Sequence, residues 1–418
     1  MMVAVHIGLL FGLVIWIWRK FPQPIFSLTL LLKVVAGISL GLLYQYYYTT
    51  GDTWTFFSDA KNAASMLRLN PTEWISFFWF DDWTQVGQPM ITGGMNAMFM
   101  VKWVTFFNLI TADNYWLAAV YLSVLSQLGA WILFKSIISC YPNVQVEAAI
   151  AIFFVPTIIF WSSGVIKECL ALGALFLLSG IFIQWYKKSI LSLIGIVGAI
   201  FSLWILWYLK YYWLAVWLAT VLPLVVIKLL SISNTWIKSH TKFSWLVLFF
   251  MSVIGVSTLH PNFYYYRLFS VVVDNYNTYV NLSDSIDCIR YVGLEPTLFS
   301  MTKNAPWAVL SGFFRPFIWE ANTIFQILAG VENFVLMILC SLALMRVKKW
   351  LSGLSELHLA LFFYLVGLAA FLALSTPNFG SLSRYRIGFT PFLWLALLIT
   401  SGAAKYLPKR VQNFLSKS

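Results

Sequence analysis

Residues 190–230 decide the class of fold. They read ILSLIGIVGAIFSLWILWYLKYYWLAVWLATVLPLVVIKLL and contain two lysines and no acidic residue. A helix of about 20 apolar residues crosses a hydrocarbon core about 30 Å thick. This stretch is long enough for two crossings, and we predict membrane-spanning helices at 190–208 and 211–230.

The composition of the whole chain indicates the same class. Hydrophobic residues make up 61% of its 418 residues and charged residues only 10%, whereas a soluble domain carries about 25% charged residues. Because so few charges cannot cover a soluble surface, we predict an all-α polytopic membrane protein with a single integral-membrane domain, 1–418. The apolar runs predict about eleven transmembrane helices, at 3–18, 25–48, 114–135, 146–161, 165–186, 190–208, 211–230, 243–259, 322–345, 357–376 and 388–405.

Basic residues in the short connections orient the chain, because cytoplasmic loops are enriched in Lys and Arg. The turns WRKFPQ, QWYKKS, IKSHTKF and MRVKKW and the tail KYLPKRVQ fall on one side if the helix at 96–110 is only partly inserted. We therefore expect an outside N-terminus and a cytoplasmic C-terminus in the plasma (inner) membrane. Two long outer loops follow, 49–112 and 260–321.

The net charge of +12 is explained by these cytoplasmic turns, so membrane lipids and not nucleic acid are the expected partners. The four cysteines show no pairing pattern and the four histidines no ligand spacing. We predict no cofactor and no metal. Asp81 and Asp82 are adjacent and could hold a divalent cation, but such pairs are common in solvated loops.

The first candidate for chemistry is the stretch YQYYYTTGDTWTFFSDAKNAA, residues 44–64, where an apolar run ends and two aspartates follow. The pattern predicts a short helix that begins at Asp52. Asp59 lies about two turns further on, with nearly the same facing. Asp52 is either a simple helix cap or a general base at the membrane boundary.

The second candidate is FWSSGVIKECLALGAL, residues 160–175, where Gly164 opens a span at its outer end. A helix N-terminus offers free N–H groups and Lys167 adds a full charge, which together predict a phosphate site. Glu168 follows directly. The alternative is an interfacial lysine with a neighbouring counter-ion.

The third candidate is NFGSLSRYRIGFTPF, residues 378–392, which carries Arg384 and Arg386 just before the last span. Arginines on the outer side work against the positive-inside tendency. They indicate a phosphate or pyrophosphate ligand, or a structural pair with an outer acid.

Three further features carry weaker signals. The segment PWAVLSGFFRPFIWEAN, residues 306–322, predicts an interfacial helix that ends near Arg315 and Glu320, with anchoring as its first role and substrate binding as a secondary one. Lys33 and Glu332 are ionisable groups inside spans, which are functional candidates by default. Lys33 is expected to reach the cytoplasmic surface along its apolar stem.

The order of these features resembles the GT-C class of integral-membrane glycosyltransferases, such as protein mannosyltransferases and the enzymes that add aminoarabinose to lipid A. GDTWTFFSDAKNAA is similar to the acidic motif that opens the first outer loop in that class. The segment GQPMITGGMNAMFMVKWVTFFNLITADNYWLAAVYLSVLSQLGAWILFKSI resembles the proline-led helix and the span that follow. AIAIFFVPTIIFWSSGVIKECLALGALFLL resembles the later proline and charged turn.

The resemblance covers about residues 25–230 and departs from the class in three ways. The chain has an extra N-terminal span within 1–24, an Asp-Thr motif where several members have Asp-Glu, and a C-terminal part, 231–418, with no soluble domain. The resemblance implies an inverting transfer from a polyprenyl-phosphate sugar to a glycan, lipid or protein acceptor. It implies that Asp52 is the base, that Asp59 assists, and that Lys167, Arg384 and Arg386 neutralise the departing lipid phosphate.

Three other functions remain open from the sequence. A polysaccharide polymerase or ligase acting on lipid-linked glycans would use the late outer loop and arginines such as Arg315, Arg384 and Arg386. A lipid or glycan flippase would line its spans with polar residues, whereas the charges here gather outside the spans. A structural membrane subunit would use none of these residues.

Overall fold

The computed structural model describes residues 23–48, 51–83, 90–231 and 234–416, with seven separate residues nearer the N-terminus. Most of the predicted first span, 3–18, lies outside the described residues. Over the described part, 84% of the chain is helical and no strand is present, apart from an isolated bridge between Cys288 and Asn378.

The α-helices in the described ranges are named in chain order. They are α1 (Pro24–Tyr46), α2 (Asp52–Leu69), α3 (Trp74–Phe80), α4 (Met95–Thr111), α5 (Tyr115–Cys140), α6 (Gln145–Phe153), α7 (Pro156–Trp161), α8 (Lys167–Lys188), α9 (Leu193–Leu230), α10 (Thr235–Ser239), α11 (Thr241–Ser257), α12 (Tyr265–Leu282), α13 (Leu298–Phe314), α14 (Ile324–Met345), α15 (Val347–Ser352), α16 (Glu356–Ser375), α17 (Phe379–Tyr385), α18 (Thr390–Ser401) and α19 (Lys409–Ser416).

Six of the described helices are long and apolar enough to cross a membrane, namely α1, α5, α8, α9, α14 and α16. Two shorter apolar helices, α11 and α18, accompany them. The prediction of an all-α membrane protein with several crossings is therefore confirmed.

Helix α9 is a hairpin of two helical segments. The backbone leaves helical geometry at Lys210, with φ −146° and ψ 58°. Gly198 in the first segment packs near Ile181, and Trp217 in the second donates to Ser179 at 3.2 Å. Both segments thus run beside the same part of α8. The chain reverses at Lys210, where the predicted spans 190–208 and 211–230 meet.

The predicted span 146–161 is not one continuous helix. It is broken into α6 and α7, and Phe154 has φ −122° and ψ 6° between them. Pro156 begins α7 and has no backbone N–H to continue the hydrogen bonds of α6. The correction matters because α7 then leads directly into the turn before α8.

Two predicted loop helices are present with different limits. The helix expected at 96–110 is α4, whose Lys102 pairs with Asp81 at 2.6 Å. The helix expected at 306–322 begins earlier, at Leu298, and ends at Phe314. It packs closely on α16, since a Cβ at Gly312 would lie 2.6 Å from the carbonyl oxygen of Ala369.

Helices α5 and α8 form the centre of the bundle. A Cβ at Gly129 would lie 2.1 Å from the carbonyl oxygen of Gly173, so the two backbones approach too closely for any larger residue. Small residues allow such packing inside a membrane. This pair holds the start of α8 in a fixed place among the surrounding helices.

Candidate functional site

A chain of ion pairs links four separate elements at one end of the bundle. The Arg384 guanidinium donates to Asp52 at 2.9 Å and lies 2.8 Å from the second carboxylate, Glu168. The other oxygen of Glu168 lies 2.6 Å from the Lys210 ammonium. We call Asp52, Arg384, Glu168 and Lys210 the ion-pair chain.

Each member of the ion-pair chain is placed by a helix end. Asp52 is the first residue of α2 and Glu168 lies in the first turn of α8, where the helix dipole favours carboxylates. Arg384 lies in the last turn of α17, where it favours cations. Lys210 lies at the bend of α9. Helix ends therefore bring four charged groups to one place in an apolar protein.

The two ends of the ion-pair chain differ in their exposure to solvent. The side chains of Glu168 and Lys210 are 0% and 4% exposed, whereas that of Asp52 is 42% exposed. A buried charge is stable only when it is paired, and Glu168 has two cationic partners. Asp52 is the member that an incoming molecule can reach.

A cavity of about 150 Å³ borders the ion-pair chain at Lys210 and also includes Lys167. None of the described residues that line this cavity is acidic. In the described part of the chain, no carboxylate lies within salt-bridge distance of Lys167, whose ammonium lies 5.5 Å from the Phe56 ring centre. The cavity thus offers an unpaired cation to an anionic ligand.

One face of helix α12 forms a wall of the cavity, with Leu268, Val271, Asn275 and Tyr279 spaced one turn apart. The Tyr279 hydroxyl donates to that of Tyr385 at 3.4 Å. Burial raises the pKa of Tyr385 well above its ordinary value, so this phenol stays neutral. This wall therefore presents two uncharged polar groups, Asn275 and Tyr279, beside two apolar ones.

Asp59 does not join the ion-pair chain. Its side chain is 0% exposed, and it accepts hydrogen bonds from the backbone N–H groups of Ile91 at 3.1 Å and Thr92 at 2.8 Å. These contacts hold the loop before α4 against α2. The expectation that Asp59 faces the same site as Asp52 is corrected, because its oxygens are occupied by this loop.

Arg386 also lies apart from the cavity. It donates to the carbonyl oxygen of Arg315 at 3.1 Å and to the side-chain oxygen of Asn333 at 2.7 Å, and it is 1% exposed. Two residues along a helical backbone point about 200° apart. The expectation that Arg384 and Arg386 meet one ligand is therefore corrected.

Arg315 and Glu320 form an internal pair. The Arg315 Nε donates to Glu320 at 2.9 Å, and the same carboxylate accepts from the backbone N–H of Phe317 at 2.9 Å. Glu320 thus holds the turn after α13 and leaves Arg315 occupied. Neither residue lines the cavity.

The two ionisable groups inside the spans have structural partners. Lys33 is 3% exposed and donates to Ser126 at 2.6 Å and to the Ser162 carbonyl at 2.8 Å. The expectation that it reaches the cytoplasmic surface is wrong, because these bonds hold it between α1, α5 and the turn before α8. Glu332 accepts from the Thr157 hydroxyl at 2.6 Å and from its N–H at 3.1 Å.

Sequence reasoning did not single out Lys210. The available signal is a lysine in the middle of residues 190–230, where a charge is costly unless it is paired. Its partner, Glu168, lies more than forty residues earlier in the chain. Only the reversal of α9 brings the two together.

Comparisons with protein-family models, with curated proteins and with solved structures give no match to this chain.

Proposed function

We propose that this protein is a membrane glycosyltransferase. It transfers a sugar from a polyprenyl-phosphate donor to an acceptor on the outer face of the membrane, with inversion at the anomeric carbon. The observation that carries the proposal is the ion-pair chain, which joins an exposed carboxylate, Asp52, to a cavity with an unpaired cation, Lys167.

Asp52 is the general base of the proposed reaction. One of its oxygens accepts from Arg384 at 2.9 Å, which fixes the orientation of the carboxylate. Its second oxygen has no hydrogen-bond or ion-pair partner among the described residues, and the side chain is 42% exposed. A base needs this access to the proton that it removes.

Lys167 and Lys210 are the groups that meet the donor phosphate. Lys167 lacks a carboxylate partner among the described residues, and Lys210 remains paired with Glu168 at 2.6 Å. Fixed cations stabilise the charge that develops on a leaving group. Arg384 touches both carboxylates and positions the base relative to the lysines.

Asp52 takes the proton of the acceptor hydroxyl while the hydroxyl oxygen forms a bond to the anomeric carbon of the sugar. The bond from that carbon to the phosphate oxygen breaks, and the polyprenyl phosphate leaves with the electron pair. Its added negative charge is neutralised by Lys167 and Lys210.

The proposed topology has about eleven crossings, with an outside N-terminus and a cytoplasmic C-terminus. It puts the ion-pair chain on the outer side. In support, Lys228 donates to the Tyr186 carbonyl at 2.8 Å, and Tyr186 donates to Glu356 at 2.8 Å. These contacts gather basic turns at the end of the bundle opposite the cavity, as the positive-inside tendency requires.

The polymerase or ligase function is ranked second. It would need Arg315 or Arg386 to bind a lipid-linked glycan, but each of these arginines donates hydrogen bonds to protein atoms. A flippase would need polar groups spread along a path through the membrane. Lys33 and Glu332 instead make their hydrogen bonds to hydroxyl and backbone groups of the protein.

The function is tested by the Asp52→Asn variant in cells that lack the native protein, with surface glycans measured by mass spectrometry. We expect loss of one sugar from one glycan, because a missing general base slows transfer at least about a hundredfold. The missing mass identifies the sugar.

The matched control is Asp113→Asn. Asp113 also pairs with an arginine, Arg68, at 2.8 Å, but this pair is separate from the ion-pair chain. This variant should retain the glycan, with equal protein in the membrane. Unchanged glycans in both variants would overturn the proposal.

A further inference from the structure

Besides its two lysines, the cavity is lined by uncharged polar side chains. Its wall includes three asparagines, Asn96, Asn262 and Asn275, with several Tyr, Ser and Thr hydroxyls. Amides and hydroxyls donate and accept hydrogen bonds without carrying charge. This combination matches the alternating donors and acceptors of sugar hydroxyl groups.

The uncharged part of the wall is held in place by its own contacts. The Asn262 side chain donates to the Tyr211 hydroxyl at 2.9 Å, and the Tyr211 ring stacks on His260 with ring centres 4.2 Å apart. Asn275 lies on the cavity face of α12 between Val271 and Tyr279. The part of the wall formed by Asn262 and Tyr211 is therefore fixed without a ligand.

The size of the cavity fits one sugar. A water molecule needs about 10–15 Å³ of such space, so about 150 Å³ holds roughly ten water-sized groups. Bonded atoms pack more closely than separate waters, so this space admits one monosaccharide. The lipid chain of a donor must then lie outside the cavity.

We propose that the α12 side of the cavity holds the sugar of the donor, and that this sugar is neutral. The inference rests on the proposed function, because the sugar is joined to the phosphate that Lys167 and Lys210 meet. An amino sugar would bring a third cation next to these lysines, with no acidic side chain among the described residues of the wall. Like charges without a counter-charge repel strongly inside a protein.

An acidic sugar is also disfavoured. Lys167 is the cavity cation without a carboxylate partner in the described part of the chain, and the phosphate uses it. The charge of Lys210 is shared between Glu168 and the same phosphate. A second anionic group on the sugar would face only amides and hydroxyls, so a neutral sugar gives the best balance of charge.

The test measures the affinity of the purified full chain for three probes: undecaprenyl phosphate, the same lipid carrying glucose, and the same lipid carrying 4-amino-4-deoxyarabinose. We expect the glucose probe to bind at least about tenfold more tightly than the amino-sugar probe. Lys167→Met should weaken all three, because they share the phosphate.

Asn275→Asp supplies the missing carboxylate with almost no change in size. It should reverse or abolish the preference for the glucose probe. Asn277→Asp is the matched control: Asn277 is exposed on α12, as Asn275 is, but it does not line the cavity, so the same added charge should leave the preference unchanged. Asn275→Ala should weaken the glucose probe and leave undecaprenyl phosphate unaffected.

The two hypotheses fail in different ways. If undecaprenyl phosphate does not bind, the proposed function fails. If it binds through Lys167 but both sugar probes bind equally, or Asn275→Asp and Asn275→Ala change nothing, only the neutral-sugar inference is overturned.

Discussion

Arg384 and Arg386 are two residues apart and have opposite surroundings. Arg384 lies between two carboxylates, Asp52 and Glu168, and the next residue, Tyr385, lines the cavity. Arg386 lies between a backbone carbonyl and the amide of Asn333, in a place that solvent barely reaches. The same side chain thus serves a charged, accessible region in one case and a closed, internal region in the other.

The surroundings of Arg384 and Arg386 distinguish site residues from scaffold residues in an apolar protein. The ion-pair chain has one exposed end and a cavity beside it, so its charges can respond to a ligand. The Arg386 contacts join the end of α13 to α14 and offer no free group to solvent. We therefore expect substitutions near Arg384 to affect mainly activity and substitutions at Arg386 to affect mainly stability.

The largest effect on stability is expected for Arg386→Met. It would leave the Asn333 oxygen and the Arg315 carbonyl without their buried donor, at a cost of about 3 kcal/mol in the free energy of unfolding. Arg384→Met should lower the free energy of unfolding by less than half as much, because Glu168 keeps its ion pair with Lys210 and the Asp52 carboxylate becomes hydrated. Sugar transfer should nevertheless be lost in Arg384→Met.

Melting of the purified variants by circular dichroism, together with their membrane levels, checks this ranking. If Arg384→Met lowers the melting temperature more than Arg386→Met, the division into site and scaffold is wrong.

A smaller effect concerns the coupling within the ion-pair chain. Glu168→Gln and Lys210→Met each remove one side of the buried 2.6 Å contact. Residues in one network show coupling energies of about 0.5–3 kcal/mol, so the double variant should be more stable than the sum of the single changes predicts. Melting of all four proteins gives this coupling.

The same double-variant cycle made with Lys61→Met in place of Lys210→Met is the control, because Lys61 is an exposed residue of α2. The cycle with Lys61→Met should give no coupling energy. Additive effects at Glu168 and Lys210 would mean that the two residues act independently.

The smallest effect is expected at His260, whose ring stacks on that of the cavity residue Tyr211. Burial, and then the neighbouring Arg267 charge, lower its pKa from the ordinary value of 6.5. The folded protein therefore resists protonation of His260 more than the unfolded chain does, and its stability falls as pH drops below about 6.5. His260 Nδ1 accepts from the Asn262 N–H at 3.2 Å, and protonation removes this acceptor.

We expect the fall in melting temperature between pH 7.5 and pH 5.5 to be slightly smaller in His260→Gln than in the wild type. The effect is small because the imidazole is partly exposed. Identical pH profiles would show that this turn does not titrate.

Local patterns in the sequence predicted much of the fold and part of the site. The start of α2 at Asp52 was predicted from its turn residues and is confirmed. The long apolar helices were predicted from hydropathy, including the two segments that meet at Lys210. Lys167 and Glu168 at the start of α8 were found because a glycine turn precedes them.

The remaining contacts depend on tertiary packing and could not be predicted from local patterns. Asp59 has the spacing of a partner for Asp52, but a loop more than thirty residues away occupies its oxygens. Lys210 gains its partner only through the reversal of α9. Arg386 differs from Arg384 only through the direction in which each side chain leaves the backbone.

The central claim is that the cavity beside the ion-pair chain takes a lipid phosphate through Lys167. The most direct test is the melting temperature of the purified protein with and without undecaprenyl phosphate. A ligand at about a hundred times its Kd adds about 2.7 kcal/mol to the stability of the folded protein. We expect the wild type and Lys61→Met to melt several degrees higher with the lipid and Lys167→Met to lose most of that rise. An equal rise in Lys167→Met would contradict the claim.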